Sequence, residues 1–277
     1  MTNPWHSLAR LSAKLEKRAG RLAAWHGFTP GRNAKRVRAW RGSLSGCRAV
    51  IVGNGPSLRI EDLERARDQV CLASNKIHLV FPHTQWRPRC VFIEDPQVLL
   101  HMRHEWDRLR GVQVLLPHTA SGGPSDALRY RYCWRRIPPP LRPEFGLDPL
   151  VAFHWGFTVT FTALQWAFYC GVREVCLIGV DFRYEIRGPA TQAGPGGARF
   201  ERSSGRSNHF SPDYYPEGVS WLVPDLEYQR MAFESARAFY SDHGGEIVNG
   251  TRGGDLEVFR RVDFDVWAAE RRGGARE

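Results

Sequence analysis

The sequence predicts an α/β fold, a mostly parallel, doubly wound sheet with helices on both faces. Three observations carry this expectation. Short apolar runs recur along the 277 residues, at Arg48–Val52, Val70–Ala73, Cys90–Ile93, Val112–Leu116, Val175–Ile178 and Glu246–Val248, as strands buried on both faces require. Helical stretches alternate with them, notably Thr158–Cys170 and Glu227–Tyr240. The first run ends in Gly53-Asn54-Gly55-Pro56-Ser57 and leads into a helix at Ile60–Ala66, and strand, tight loop, helix is how a doubly wound sheet opens.

With 42% hydrophobic and 12% aromatic residues the chain can bury a large core, and one α/β domain is assigned to residues 47–265. The net charge of +10 is concentrated at the front, where residues 1–42 carry ten Lys and Arg against Glu16 alone. The remainder is nearly neutral, which argues against nucleic acid as a partner, since backbone binding needs a basic surface on the folded domain.

Within residues 5–25, Trp5, Leu8, Leu11, Leu15, Leu22 and Trp25 recur at helical spacing among lysines and arginines, a basic amphipathic helix. Two readings stay open for it: packing on the domain or on a second subunit of a homo-oligomer, and anchoring on an anionic membrane face through residues 1–42. Gly27 to Gly46 reads as a basic linker, so that residues 1–46 form an appended segment, and residues 266–277 read as a polar tail.

The six cysteines form no CxxC pair, and most sit in apolar runs such as Val70-Cys71-Leu72. This predicts buried thiols in a reducing, cytoplasmic compartment. No run approaches the roughly 18–20 apolar residues of a membrane span, and no apolar signal core is evident. Gly188 to Ser207 is too polar and glycine-rich for a core element and predicts a lid over about residues 185–220.

In the Gly53–Ser57 loop, glycines permit positive φ and close backbone approach, so that amides can face a phosphate. The loop lacks the lysine of a P-loop and the third glycine of a dinucleotide fingerprint, and a plain tight turn remains the alternative. Asp181 follows an apolar run where a parallel strand meets its carboxyl-end loop, the usual ligand edge of such sheets; capping the next turn is its other reading. His101 and His104 are three apart on a helix, without a third ligand, and no metal site is expected.

Ile51-Val52-Gly53-Asn54-Gly55-Pro56-Ser57-Leu58 resembles the opening of the bacterial lipooligosaccharide sialyltransferases and of the related hydroxymethylpterin-diphosphokinase-like (MptE-like) proteins. Further pieces follow in order: Ala73-Ser74-Asn75-Lys76, Val91-Phe92-Ile93-Glu94-Asp95-Pro96, Gly156-Phe157-Thr158, Gly171 to Phe182, and Ser207-Asn208-His209-Phe210. The resemblance implies a Rossmann-like, GT-A-type sheet and a CMP-activated sugar donor used without a metal or other cofactor, with a glycan or glycolipid acceptor. It implies that Gly53, Asn54, Gly55, Pro56, Ser57, Asn75, Asp95, Gly156, Thr158 and Asp181 line the donor site, Asn54 and Asn75 contacting its phosphate and cytidine. Asp95 stands where the sialyltransferases often have asparagine, and a carboxylate near phosphate needs a ribose hydroxyl or base amine to accept from. Their phosphate-binding tyrosine aligns with Arg183, with Tyr184 one later. Their catalytic histidine aligns with Asp213, while His209 lies in the motif itself; either can serve as base. Phe210, Tyr214 and Tyr215 can stack on sugar rings or anchor the loop.

The reading is an inverting, metal-independent glycosyltransferase moving a nonulosonic sugar to a surface-glycan acceptor. The alternatives are Mg²⁺-dependent pyrophosphoryl transfer from ATP to a pterin alcohol, with Asp95 and Asp181 as ligands, and a non-catalytic nucleotide-binding subunit of a glycan-assembly complex. Ser74-Asn75-Lys76, which has no carboxylate, differs from the acidic second-strand end of the pterin branch.

Overall fold

The computed structural model describes residues 31–134, 141–185, 192–193, 199–203 and 208–270; the amphipathic segment 5–25 lies outside them. Eight strands form one sheet: β1 (Arg48–Val52), β2 (Val70–Ser74), β3 (Cys90–Phe92), β4 (Gln113–Pro117), β5 (Leu128–Tyr130), β8 (Glu174–Ile178), β12 (Glu246–Asn249) and β13 (Arg260–Arg261). Their order is β13-β12-β8-β1-β2-β3-β4-β5, and every neighbouring pair is parallel. The expected α/β architecture is therefore present.

The strands read as apolar runs because both faces are covered. In β1, Ala49 and Ile51 enter one core, and Val50 and Val52 enter the other. The first core is closed by helices α1 (Arg32–Arg38), α4 (Val159–Tyr169) and α5 (Leu226–Asp242); the second by α2 (Ile60–Arg65), α3 (Pro96–Met102) and α6 (Phe264–Ala269). Helix α4 is apolar nearly all round and buries Phe161, Leu164 and Trp166, because it crosses β1–β3 with α5 against its other side.

The chain steps outward from β1 to β5 and then returns through α4 to place β8 on the other side of β1. Val52 is level with Ala73 of β2 and with Ile178 of β8, so the three carboxyl ends form one edge. This is the switch point of the sheet, where ligands of open α/β folds bind.

Three boundaries differ from expectation. Residues 31–46 are part of the domain, not a linker: Ala34, Val37 and Leu44 are core residues. The Asn33 side chain donates to Arg129 O and accepts from Arg129 N, both at 2.9 Å, which satisfies the free edge of β5. The region 185–220 contains strands, since β9 (Gln192–Ala193), β10 (Arg199–Arg202) and β11 (Ser220–Leu222) form an antiparallel sheet. The boundary at residue 265 falls inside α6, whose Trp267 is buried under the Arg48 guanidinium at 3.6 Å. Among the described residues no helix is long and apolar enough to cross a membrane.

Candidate functional site

The site begins where β1 ends. Gly53 N donates to Ile178 O and Gly55 N to Gly179 O, each at 2.8 Å, and Leu58 N donates to Gly55 O at 3.1 Å. Ser57 donates from Oγ (2.9 Å) and N (3.4 Å) to the Asp181 carboxylate. A Cβ on Gly53 would collide with the Gly179 carbonyl, and one on Gly55 with the Asp181 carboxylate. Neither glycine has positive φ. They are glycine so that the loop can lie against the end of β8, and Pro56 has no amide to offer. The backbone amides expected to face a phosphate are thus largely spent inside the protein, and Asn54 is the loop's side chain on the cleft.

Asn54 Nδ2 donates to Ser74 O (3.1 Å) and Ser74 Oγ (2.9 Å), while its Oδ1 is buried with no partner among the described residues. Asn75, at the end of β2, has φ +51°, a left-handed conformation that asparagine tolerates better than most residues. Its Oδ1 too is buried without a partner. Two adjacent strands therefore end in amide oxygens that want donors.

At the end of β3, Asp95 caps α3 by accepting from Gln97 N at 2.8 Å; burial raises its carboxyl above the usual range. Its neighbour Glu94 is a site residue that no sequence motif singles out. This carboxyl is buried, lines the cleft, and accepts from Tyr130 Oη (2.8 Å) and Tyr132 Oη (2.5 Å). Burial pushes it up to about 7.

Gly156 has no room for a Cβ between Phe161 and Ala232, and Thr158 caps α4. Asp181 is raised by burial and held back by Ser57. Arg183 is exposed and pairs with Asp255 at 2.6 and 2.8 Å. Burial pushes the Tyr184 phenol up to about 12, keeping it a donor.

The segment 208–215 closes the far side. Phe210 N donates to Asn54 O at 3.0 Å, and Asn208 brackets Glu185 by accepting from its N (2.8 Å) and donating to its O (3.1 Å). His209 stacks on Tyr214 with centroids 3.8 Å apart. Burial, and then the Lys76 cation, depress it to about 3, so its imidazole is neutral at pH 7. Lys76, another residue missed, is buried and donates to Tyr214 O at 2.8 Å. Tyr214 thus anchors the loop.

These parts enclose a cleft of about 190 Å³. It brings together Gly53, Asn54, Gly55, Asn75, Asp95 and Thr158 from the first half of the expected site, and Asp181, Arg183, Tyr184 and His209 from the second. Pro56, Ser57 and Gly156 stand behind the lining, and Asp213 is exposed outside it. Among the described residues, the three non-glycine residues with positive φ, Asn75, Phe157 and Phe182, all line this cleft. Such strain, about 1–3 kcal/mol each, persists where surroundings enforce it and clusters at functional sites. His101 packs edge-on to Tyr215, and no three His, Cys, Asp or Glu side chains are grouped to hold a metal ion among the described residues.

No curated protein matches the chain. The signature of the family described as 6-hydroxymethylpterin diphosphokinase MptE-like matches residues 31–187. The match starts where the described domain starts, takes in the Gly53–Ser57 loop and Asp181, and stops before His209. The chain belongs to the 6-hydroxymethylpterin diphosphokinase MptE-like family.

Proposed function

We propose that the cleft holds a CMP-activated nonulosonic sugar and transfers that sugar, with inversion and without a metal ion, to a hydroxyl of a surface-glycan acceptor. The observation that carries this reading is the acceptor-rich lining: Asn54 Oδ1 and Asn75 Oδ1 lack donors, and Glu94, Asp95 and Asp181 add carboxyl oxygens. Buried acceptors are costly unless a ligand supplies donors, and ribose hydroxyls, a cytosine amine and sugar hydroxyls are such donors. Aromatic side chains beside them suit flat rings.

In this reading the acceptor oxygen attacks the anomeric carbon, the bond from that carbon to the phosphate oxygen breaks, and the electron pair leaves on CMP. Tyr184, protonated and on the lining, donates to the departing phosphate, with Arg183 beside it. His209 takes the acceptor proton. A neutral imidazole carries one unprotonated ring nitrogen, the form a base must have, and the negative phosphate of a bound donor raises its affinity for the proton. Asp213, exposed outside the lining, ranks behind it.

A second reading, pyrophosphoryl transfer to a pterin alcohol, is favoured by the family's description and by Glu94, whose carboxyl suits an amino-substituted heteroaromatic ring. Its Mg²⁺ would fall to Asp95 and Asp181, which accept from Gln97 N and Ser57 Oγ and are joined by no third metal-ligating side chain among the described residues. These carboxylates do not fit a ready metal site. Incubation with CMP-N-acetylneuraminate and methyl β-galactoside as acceptor in EDTA, followed by chromatography of the products, tests the proposal. Release of CMP that depends on His209 supports it; an intact donor, together with AMP formation from ATP and a pterin alcohol in Mg²⁺, overturns it.

A further inference from the structure

We propose that Trp134 and Trp155 form a stacking subsite for one pyranose ring of the acceptor glycan, separate from the Asn54–Asn75 edge; the acceptor role rests on the transferase reading. The two indoles are brought together by a parallel pairing outside the main sheet. β6 (Tyr132–Cys133) and β7 (Phe153–His154) pair with Cys133 level with His154, which sets the next residue of each strand side by side. Their ring centroids are 6.0 Å apart, and both line the cleft.

The platform is fixed from behind. Tyr132 meets the Trp134 ring edge-on at 4.5 Å and 88°, and its own hydroxyl is held by Glu94. Trp134 Nε1 donates to Thr119 Oγ1 at 3.3 Å. Trp155 N donates to Cys133 O at 3.1 Å, and its ring lies 4.3 Å from Phe157. Phe157 sits at φ +58°, with its carbonyl held by Gln229 Nε2 at 2.9 Å. A left-handed aromatic residue is costly, and here the geometry it enforces backs the Trp155 ring.

Against this support Trp134 is still 38% exposed. A large aromatic that is immobilised and open to a cleft that a buried carboxyl also lines matches a ligand with an apolar face and a hydroxyl-bearing edge. A pyranose has both, its C–H face for the indole and its hydroxyls for the polar groups of the same cleft; an acyl chain has no use for those.

Saturation-transfer NMR on the full chain, with CMP and with methyl β-galactoside, methyl β-glucoside and methyl N-acetyl-β-glucosaminide as probes, tests this. Ring C–H signals are expected for at least one glycoside. They should weaken about fivefold in W134A, as loss of one stacking contact implies, and survive in W134F, with CMP signals equal in all three proteins. W134L, which keeps apolar bulk but no ring face, repeats the test should W134A fold poorly. No glycoside signal from the wild type, or signals indifferent to W134A and W134L, overturns the subsite; loss of CMP signals in W134A reassigns the platform to the nucleobase and also overturns it. If CMP gives no signal with the wild type while W134A-sensitive glycoside binding remains, the donor reading fails and the carbohydrate subsite stands.

Discussion

The Ser57 hydroxyl donates to the Asp181 carboxylate at 2.9 Å, joining the loop after β1 to the loop after β8 across the switch point. Gly55 lies under that carboxylate with no room for a methyl group. Gly55→Ala is therefore expected to destabilise the fold by about 1–3 kcal/mol, the usual cost of overpacking. Ser57→Ala, which removes one hydrogen bond, should cost only about 1 kcal/mol. Urea midpoints of the two variants check the order.

Asn54 and Asn75 are expected to separate. Asn54 braces Ser74 with its amide nitrogen, so Asn54→Ala should lose both stability, by about 1–2 kcal/mol, and ligand affinity. Asn75→Gly keeps the left-handed backbone without strain and deletes the side chain together with its hydrogen bond to the Tyr214 hydroxyl. Calorimetry with CMP should show weaker binding for both, with the smaller fall in melting temperature for Asn75→Gly.

Removal of residues 1–30 should leave a folded domain, whereas removal of 1–42 should not. The second deletion takes Val37, whose carbonyl accepts from the buried Tyr169 hydroxyl, and the Asn33 pairing with β5. Circular dichroism melts of both truncations read this directly; equal stability would return residues 31–42 to the status of a linker.

Acid should destabilise the protein through His209. Its folded value of about 3 lies below the unfolded 6.5, so the unfolded chain binds more protons between those pH values and stability falls as pH drops through them. Glu94, raised from 4.5 to about 7, acts oppositely, losing stability as pH rises from 4.5 to 7. His209→Gln should remove the acid-sensitive part and leave the Glu94 part, as urea midpoints between pH 4 and 7.5 would show. In turnover, His209→Ala should lower kcat by about 10²–10⁴ with donor affinity nearly intact, as loss of a general base implies.

The strands of the sheet interior were legible because burial on both faces writes them as unbroken apolar runs. β5 was not, since Leu128-Arg129-Tyr130 is short and carries a half-buried arginine. α1 was hidden by its charge: Ala34 and Val37 alone are buried in it, and its basic residues read as linker. At the site, the motifs pointed to the ends of β1, β2, β3 and β8, which the topology does gather. What no motif could show is that the loop amides are consumed by β8, or that Trp134 and Trp155, 21 positions apart in the sequence, meet through the β6–β7 pairing.

Donor choice and metal independence meet in one readout, ligand-induced stability. A thermal-shift panel of CMP, CDP, UDP, GDP and ATP, each with Mg²⁺ and with EDTA, tests both most directly. A ligand that binds only the folded state adds about 2.7 kcal/mol at a hundredfold excess over its Kd. A rise with CMP that is the same in EDTA and is reduced in Asn75→Gly is expected. Stabilisation by ATP alone, and only with Mg²⁺, would contradict it and favour pyrophosphoryl transfer.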